Sequence, residues 1–176
     1  MKKYSIIYEK MFGDLMIIRK ALIDDINKIM NVYSIAQDFM IKSGNPNQWS
    51  HDYPKRELIE QDIEDETSIV ICDGNAIRGV FALFSGLEPT YEHIENGKWL
   101  NDEEYVTLHR IASDGKAKGI FKYAVDYCKT VSDNIRIDTH ADNAVMQRLI
   151  EKNGFVKCGT IYVRDGSPRI AYQWCR

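Results

Sequence analysis

Apolar residues return every three or four positions at Ile26, Ile29, Met30, Tyr33, Ala36 and Met40, the period of a helix with one buried face. Asp24 and Asp25 stand where the first turn favours carboxylates, and Ser43-Gly44-Asn45-Pro46-Asn47 ends the pattern with turn chemistry. A second, acidic helix is expected over 55–65, with Pro54 suited to its start. A third follows from Ile120, Phe121, Ala124, Val125, Cys128 and Val131. A fourth follows from Val145, Met146, Leu149 and Ile150, with Asp142 as its cap and Asn153-Gly154 as its end. Short apolar or alternating runs predict strands at 15–19, 69–72, 79–84, 104–113, 135–137, 155–163 and 169–174. Asp73-Gly74-Asn75 and Asp165-Gly166 supply hairpin turns. The polar stretch 88–103 reads as a surface loop holding Trp99. The order β-α-α-β-β-β-α-β-α-β-β predicts an α/β fold, one mixed central β-sheet flanked by about four helices. Residues 16–176 form that single domain and 1–15 an N-terminal extension, with Met16 a candidate start of the native chain.

Composition narrows the class. A chain of 176 residues, 44% hydrophobic and 28% charged, can bury a core of ordinary size. Its net charge of −3 gives no basic nucleic-acid footprint. No signal-peptide pattern or membrane-length apolar run is present, and no membrane partner is expected. Cys72, Cys128, Cys158 and Cys175 show no C-x-x-C spacing and read as reduced thiols of a cytoplasmic protein. His51, His93, His109 and His140 lack metal-ligand spacing, so no metal is expected. Tyr172 and Trp174 on the last strand are compatible with a homodimer.

Chemistry concentrates in His109-Arg110-Ile111-Ala112-Ser113-Asp114-Gly115-Lys116-Ala117-Lys118-Gly119-Ile120-Phe121, where a strand runs through a Gly- and Lys-rich loop into a helix. The first amides of a helix lack internal partners and carry partial positive charge, and glycines let a phosphate come close. The segment therefore reads equally as a pyrophosphate cradle or as a glycine-bearing loop with solvated lysines. The P-loop pattern G-x-x-x-x-G-K-[ST] and the dinucleotide pattern G-x-G-x-x-G are both absent.

Lys116-Ala117-Lys118-Gly119-Ile120-Phe121 resembles the [Q/R]-x-x-G-x-[G/A] cofactor signature of the GCN5-related N-acetyltransferase (GNAT) superfamily. Gly119 matches strictly, Lys116 keeps the charge, and Phe121 departs. Asn143-Ala144 followed by Leu149-Ile150-Glu151-Lys152-Asn153-Gly154-Phe155 resembles the family's second segment, and the element order resembles GNAT over nearly all of 15–175. The resemblance implies acetyl-CoA as cofactor. Backbone groups of Ile111, Ala112 and Ser113 would meet its pantetheine arm, and amides of Lys116, Ala117, Lys118, Gly119, Ile120 and Phe121 its pyrophosphate. Asn143 would lie near the pantetheine or the attacking amine, or simply cap its helix.

The resemblance also implies acetyl transfer to a primary amine of a small molecule or peptide, by direct attack in a ternary complex. Attack needs a base for the amine proton. The family's strand glutamate falls on Thr107, which cannot serve, and its acid tyrosine falls on Ile150. Tyr105, Thr107 and His109 share a strand face, which makes His109 a base candidate or a hydrogen-bonded core histidine and leaves Tyr105 on the same face. His140 is a candidate acid or a helix-start residue, and Glu104 a further candidate or a solvated strand-end charge. Trp49 and Tyr53 between the first two helices are candidate walls of the acceptor pocket or anchors of their loop. Asp62, Glu64 and Asp65 read as a solvated helix face that could also attract a cationic amine. Two other outcomes stand beside the enzyme: a catalytically degenerate acyl-CoA-binding regulatory module, and an unrelated nucleotide-binding protein.

Overall fold

A computed structural model describes the backbone of residues 6–8 and the residues 16–50 and 52–176 in full. The strands are β1 (Ile6–Tyr8), β2 (Met16–Lys20), β3 (Ser68–Asp73), β4 (Ala76–Ser85), β5 (Val106–Ser113), β6 (Asn134–Thr139), β7 (Val156–Tyr162) and β8 (Pro168–Cys175). The helices are α1 (Ile26–Lys42), α2 (Arg56–Glu64), α3 (Ile120–Val131) and α4 (Ala144–Lys152). Among the described residues the strands form one mixed sheet of eight in the order β1-β2-β3-β4-β5-β6-β8-β7. Among the described strands only β5 and β6 run parallel. This is the predicted α/β class.

Helices cover both faces, which explains the uninterrupted apolar run Ile69-Val70-Ile71-Cys72 in β3. Val70 and Cys72 join α1 and α2 on one side through Ile29, Val32, Tyr33 and Ile59. Ile69 and Ile71 join α3 and α4 on the other through Phe121, Ala124, Val125, Cys128 and Ile150. Ile29 and Ile59 are fully buried, and each such side chain contributes about 1.5–3 kcal/mol by leaving water. Asp25 is buried ahead of α1, where its carboxylate accepts two bonds from Arg19 and one from the Leu22 amide.

Several expectations are corrected. Ile6–Tyr8, inside the expected extension, pairs antiparallel with β2 and belongs to the sheet; the rest of 1–15 lies outside the described residues. β5 begins at Val106 rather than Glu104. The cap of α4 is Asn143, not Asp142, with Asn143 Oδ1 accepting from the Met146 amide. The stretch 88–103 is no plain surface loop. A short helical turn at Pro89–Tyr91 buries Tyr91, which stacks on Trp99 and Tyr105 over the β6-β8-β7 side of the sheet. Tyr172 is fully buried, and Trp174 is partly buried against the core with Lys129 over its ring.

Candidate active site

The site begins with a break in the strand pairing. β5 and β6 share only the register pairs Val106↔Ile135 and Thr107↔Arg136. Beyond Thr107, β5 runs on to Ser113 paired with β4 alone, and β6 runs on to Thr139 paired with β8 alone. The two strands thus bound a wedge, each turning an unpaired backbone edge toward it.

A bulge in β5 sits beside this opening. Val80 pairs with Ala112 and Ala82 with His109, so Arg110 and Ile111 together oppose Phe81. Arg110 takes φ +50°, a left-handed conformation rare for a residue with a side chain and costing about 1–3 kcal/mol. The bulge resets the alternation. Val106, Leu108 and Ile111 face the α3 core, whereas His109 and Arg110 both reach groups on the opposite face and Ala112 joins the α1–α2 core.

The loop after β5 leads into α3. Ser113 Oγ accepts from the Gly115 amide, and Asp114 Oδ1 accepts from the Lys116 amide while Oδ2 pairs with Arg78 at 3.0 Å. Gly115 and Gly119 take φ of +73° and +77°, which only glycine adopts freely, and Gly119 is the N-cap of α3. Among the described residues no group accepts from the amides of Ala117, Lys118, Gly119, Ile120, Phe121 or Lys122. The Ile120 and Phe121 side chains are buried beneath, and Lys116 and Lys118 are exposed. Free amides, two lysines and a helix start suit a diphosphate. The adjoining wedge suits an extended chain that pairs with strand edges. The residues present therefore fit the acyl-CoA that the resemblance implies.

On the α1–α2 face a polar cluster surrounds His109, itself 21% exposed. Its Nε2 lies 3.4 Å from Glu88 Oε2, and its Nδ1 lies 3.9 Å from Asp138 Oδ1 across the wedge on β6. The His109 ring beside Glu88, opposed by burial, holds that carboxyl down at about 2. Asp138 Oδ1 accepts the Tyr91 hydroxyl at 2.6 Å, and Arg169 Nε approaches Asp138 Oδ2 at 4.0 Å. Phe84 and Tyr91 pack edgewise or tilted against the imidazole.

The α1–α2 connection closes the other side. Trp49 packs between Tyr33 and Tyr53, each ring centroid 5.8 Å away. Gln48 Oε1 accepts from Asn45 Nδ2 and Asn143 Nδ2, both at 2.8 Å, tying the loop to α4. Asp62, expected on a solvated helix face, is buried and takes Arg110 at 2.6 Å. Burial pushes the Asp62 carboxyl up against the opposing pull of that guanidinium. His51 lies outside the described residues.

The structure thus brings His109, Trp49, Tyr53 and Asn143 to one region and places the 111–121 backbone along the wedge and cradle. Tyr105 stands one step behind that cluster, against Glu88 and Tyr91. That ring is buried against Arg136, and its hydroxyl accepts the Glu88 amide. His140 Nδ1 accepts the Asp142 amide, the helix-start role. Glu104 is exposed and Thr107 buried. Glu88, Asp138 and Arg110 were missed because each looked like an ordinary loop or strand charge; only the fold gathers them. A separate cavity of about 760 Å³, lined by residues including Leu87, Trp99, Glu103 and Arg136, opens at the N-terminal end of β5 and β6, away from the wedge mouth. Among the described residues no cluster of His, Cys, Asp or Glu is arranged to hold a metal, and no helix is long and apolar enough to cross a membrane.

Comparison with solved structures agrees with this architecture. A GNAT-family acetyltransferase from Streptococcus agalactiae is 31% identical, with 92% of this chain and 95% of that one covered and a TM-score of 0.84. A GNAT-family acetyltransferase from Listeria monocytogenes is 20% identical, covers 98% of this chain and 100% of its own, and has a TM-score of 0.72. The ribosomal-protein-S5-alanine acetyltransferase of Vibrio fischeri shares the fold at 16% identity, covering 97% and 96% of the two chains with a TM-score of 0.60. No protein-family model matches the chain, and no curated protein does. The fold and site define an acetyltransferase. The chain belongs to the GNAT family.

Proposed function

We propose that the protein transfers the acetyl group of acetyl-CoA to a primary amine of a small molecule or peptide, by direct attack in a ternary complex. The supporting observation is the junction of the β5–β6 wedge with the open amides of 117–122. Acetyl-CoA supplies an acyl group activated as a thioester; the amine nitrogen bonds its carbonyl carbon and the C–S bond breaks.

The residues divide the remaining work. Ile111, Ala112 and Ser113 offer backbone to the pantetheine arm, and the 117–121 amides with Lys116 and Lys118 offer positive charge to the diphosphate. His109 takes the proton that the amine must lose, for which its partial exposure and its place on β5 beside the wedge suit it. Trp49 and Tyr53 wall the acceptor side. The free thiols of Cys72, Cys128, Cys158 and Cys175 fit a reducing, cytoplasmic setting.

The test is titration with CoA, followed by incubation with acetyl-CoA and an amine set: a diamine, an aromatic monoamine, an amino acid and a short peptide with a free N-terminus. Binding with thiol release on any amine supports the enzyme. Binding without release would favour the regulatory module, which the buried Ile150 in place of the family's acid tyrosine allows. No binding of CoA overturns both.

A further inference from the structure

We propose that Glu88 is the positioning residue for His109: it holds the imidazole as the Nε2–H tautomer and leaves Nδ1 bare, at the wedge, to take the proton of the acceptor amine. This deepens the acetyl-transfer reading and rests on it.

Glu88 does not belong to any element of the family resemblance. It lies between β4 and β5, just before the Pro89–Tyr91 turn, and three contacts fix it. Its Oε1 accepts from the Thr90 amide at 3.2 Å and from Thr90 Oγ at 2.9 Å, and its own amide donates to the Tyr105 hydroxyl at 3.0 Å. The second carboxylate oxygen stands at ion-pair distance from His109 Nε2, 3.4 Å. An ionised carboxylate only accepts, so its charge favours a hydrogen on the nitrogen nearest it.

The other nitrogen has a different environment. Asp138 Oδ1 stands 3.9 Å from Nδ1, beyond hydrogen-bond length, and already receives the Tyr91 hydroxyl. Asp138 therefore does not compete to hold the ring proton on Nδ1. His109 and Asp138 stand on the two strands that part after Thr107 and Arg136, so the space beside Nδ1 opens on the wedge. Phe84 and Tyr91 brace the ring.

The charged and titratable groups around the imidazole are Glu88 from the β4–β5 connection, Tyr91 from the turn, Asp138 from β6, Arg169 from β8 beyond Asp138, Arg110 beside it in β5 and Asp62 from α2. When Nδ1 takes the amine proton the ring becomes a cation with a carboxylate already against Nε2, as in other carboxylate–histidine pairs. The electron pair released from carbon leaves on the thiol sulfur, and the imidazolium returns its proton to that sulfur or to water.

The experiment reads the ring directly. The ligand-free protein is labelled with nitrogen-15 histidine, and long-range proton–nitrogen correlations are recorded above the histidine titration range, with His109→Gln assigning the signal. Wild type should show protonated Nε2 and bare Nδ1. Glu88→Ala should give a mixture of tautomers, and Glu88→Gln, which keeps an acceptor oxygen, should restore the wild-type signature. A protonated Nδ1 in wild type, or an unchanged tautomer in Glu88→Ala, overturns the assignment. With any amine that turns over, Glu88→Ala should lower kcat at least tenfold with KM for acetyl-CoA within twofold, and move the ascending limb of the kcat–pH profile to lower pH. An equal loss in Glu88→Gln and Glu88→Ala with an unmoved limb overturns the assignment as well. Failure of every amine would overturn the acetyl-transfer reading, while the tautomer measurement still decides whether Glu88 sets the ring.

Discussion

Asn143 donates to Gln48 Oε1 at 2.8 Å although 95 residues separate them in the chain. The same Asn143 caps α4 through its oxygen, and the same Gln48 oxygen receives Asn45, so one contact joins the α1–α2 loop to the start of α4. The two readings of Asn143, helix cap and site residue, thus fall on opposite ends of one amide.

These bonds are separable. Asn143→Asp keeps the capping oxygen and loses the donor, whereas Asn143→Ala loses both. The alanine variant should be about 1–2 kcal/mol less stable in urea unfolding, with the aspartate variant between it and wild type. Gln48→Leu strands the buried donors of Asn45 and Asn143 and should cost about 1–3 kcal/mol. An alanine variant as stable as wild type contradicts the cap.

The Asp62–Arg110 pair joins α2 to the β5 bulge inside the protein. Removing one partner leaves the other charge buried and uncompensated, so Asp62→Ala should destabilise by about 3–5 kcal/mol. The double variant Asp62→Ala/Arg110→Ala should lose less than the sum of the two singles, by more than about 0.5 kcal/mol. Additive losses would mean that the two side chains do not act on one another.

Glu88 makes stability depend on acid. Its folded value, about 2, lies below the ordinary 4.5 of a glutamate. A depressed carboxyl stabilises the fold fully above its unfolded value and loses that contribution as pH falls toward its folded value. The difference in unfolding midpoint between wild type and Glu88→Gln should therefore shrink as pH falls from about 4.5 to about 2. A difference that does not change over this range would show that His109 does not stabilise the ionised form.

Gly119 holds φ +77° at the start of α3, next to the open amides. A β-branched side chain there costs about 1–3 kcal/mol of backbone strain and obstructs an approaching phosphate. Gly119→Val should weaken CoA binding at least tenfold by calorimetry, while Gly115→Asn, in a left-handed position with open space around it, should change it less than threefold. Equal affinity in Gly119→Val and wild type would remove the cradle.

The elements were legible because their signals are local. The three- and four-residue spacing that ends at Val131 marked α3, and Asp73-Gly74-Asn75 marked the β3–β4 turn. The cradle was visible for the same reason, since its glycines and lysines are consecutive. The polar cluster was not. Glu88, His109 and Asp138 come from a turn and two strands and meet only because β5 and β6 lie side by side, and the bulge that turns Arg110 to the same face as His109 leaves no mark in alternation. Asp62 looked solvated because helical spacing alone does not reveal that a buried guanidinium waits opposite.

Among the described strands, the two adjacent register pairs at Val106 and Thr107 are the backbone pairing between β1–β5 and the trio β6, β8 and β7. Every strand before α3 lies on one side of that stitch and every strand after it on the other, while the shared core and the 88–103 segment span it. A molecule laid between β5 and β6 would act as a missing rung, so its arrival should slow amide exchange on both strands at once.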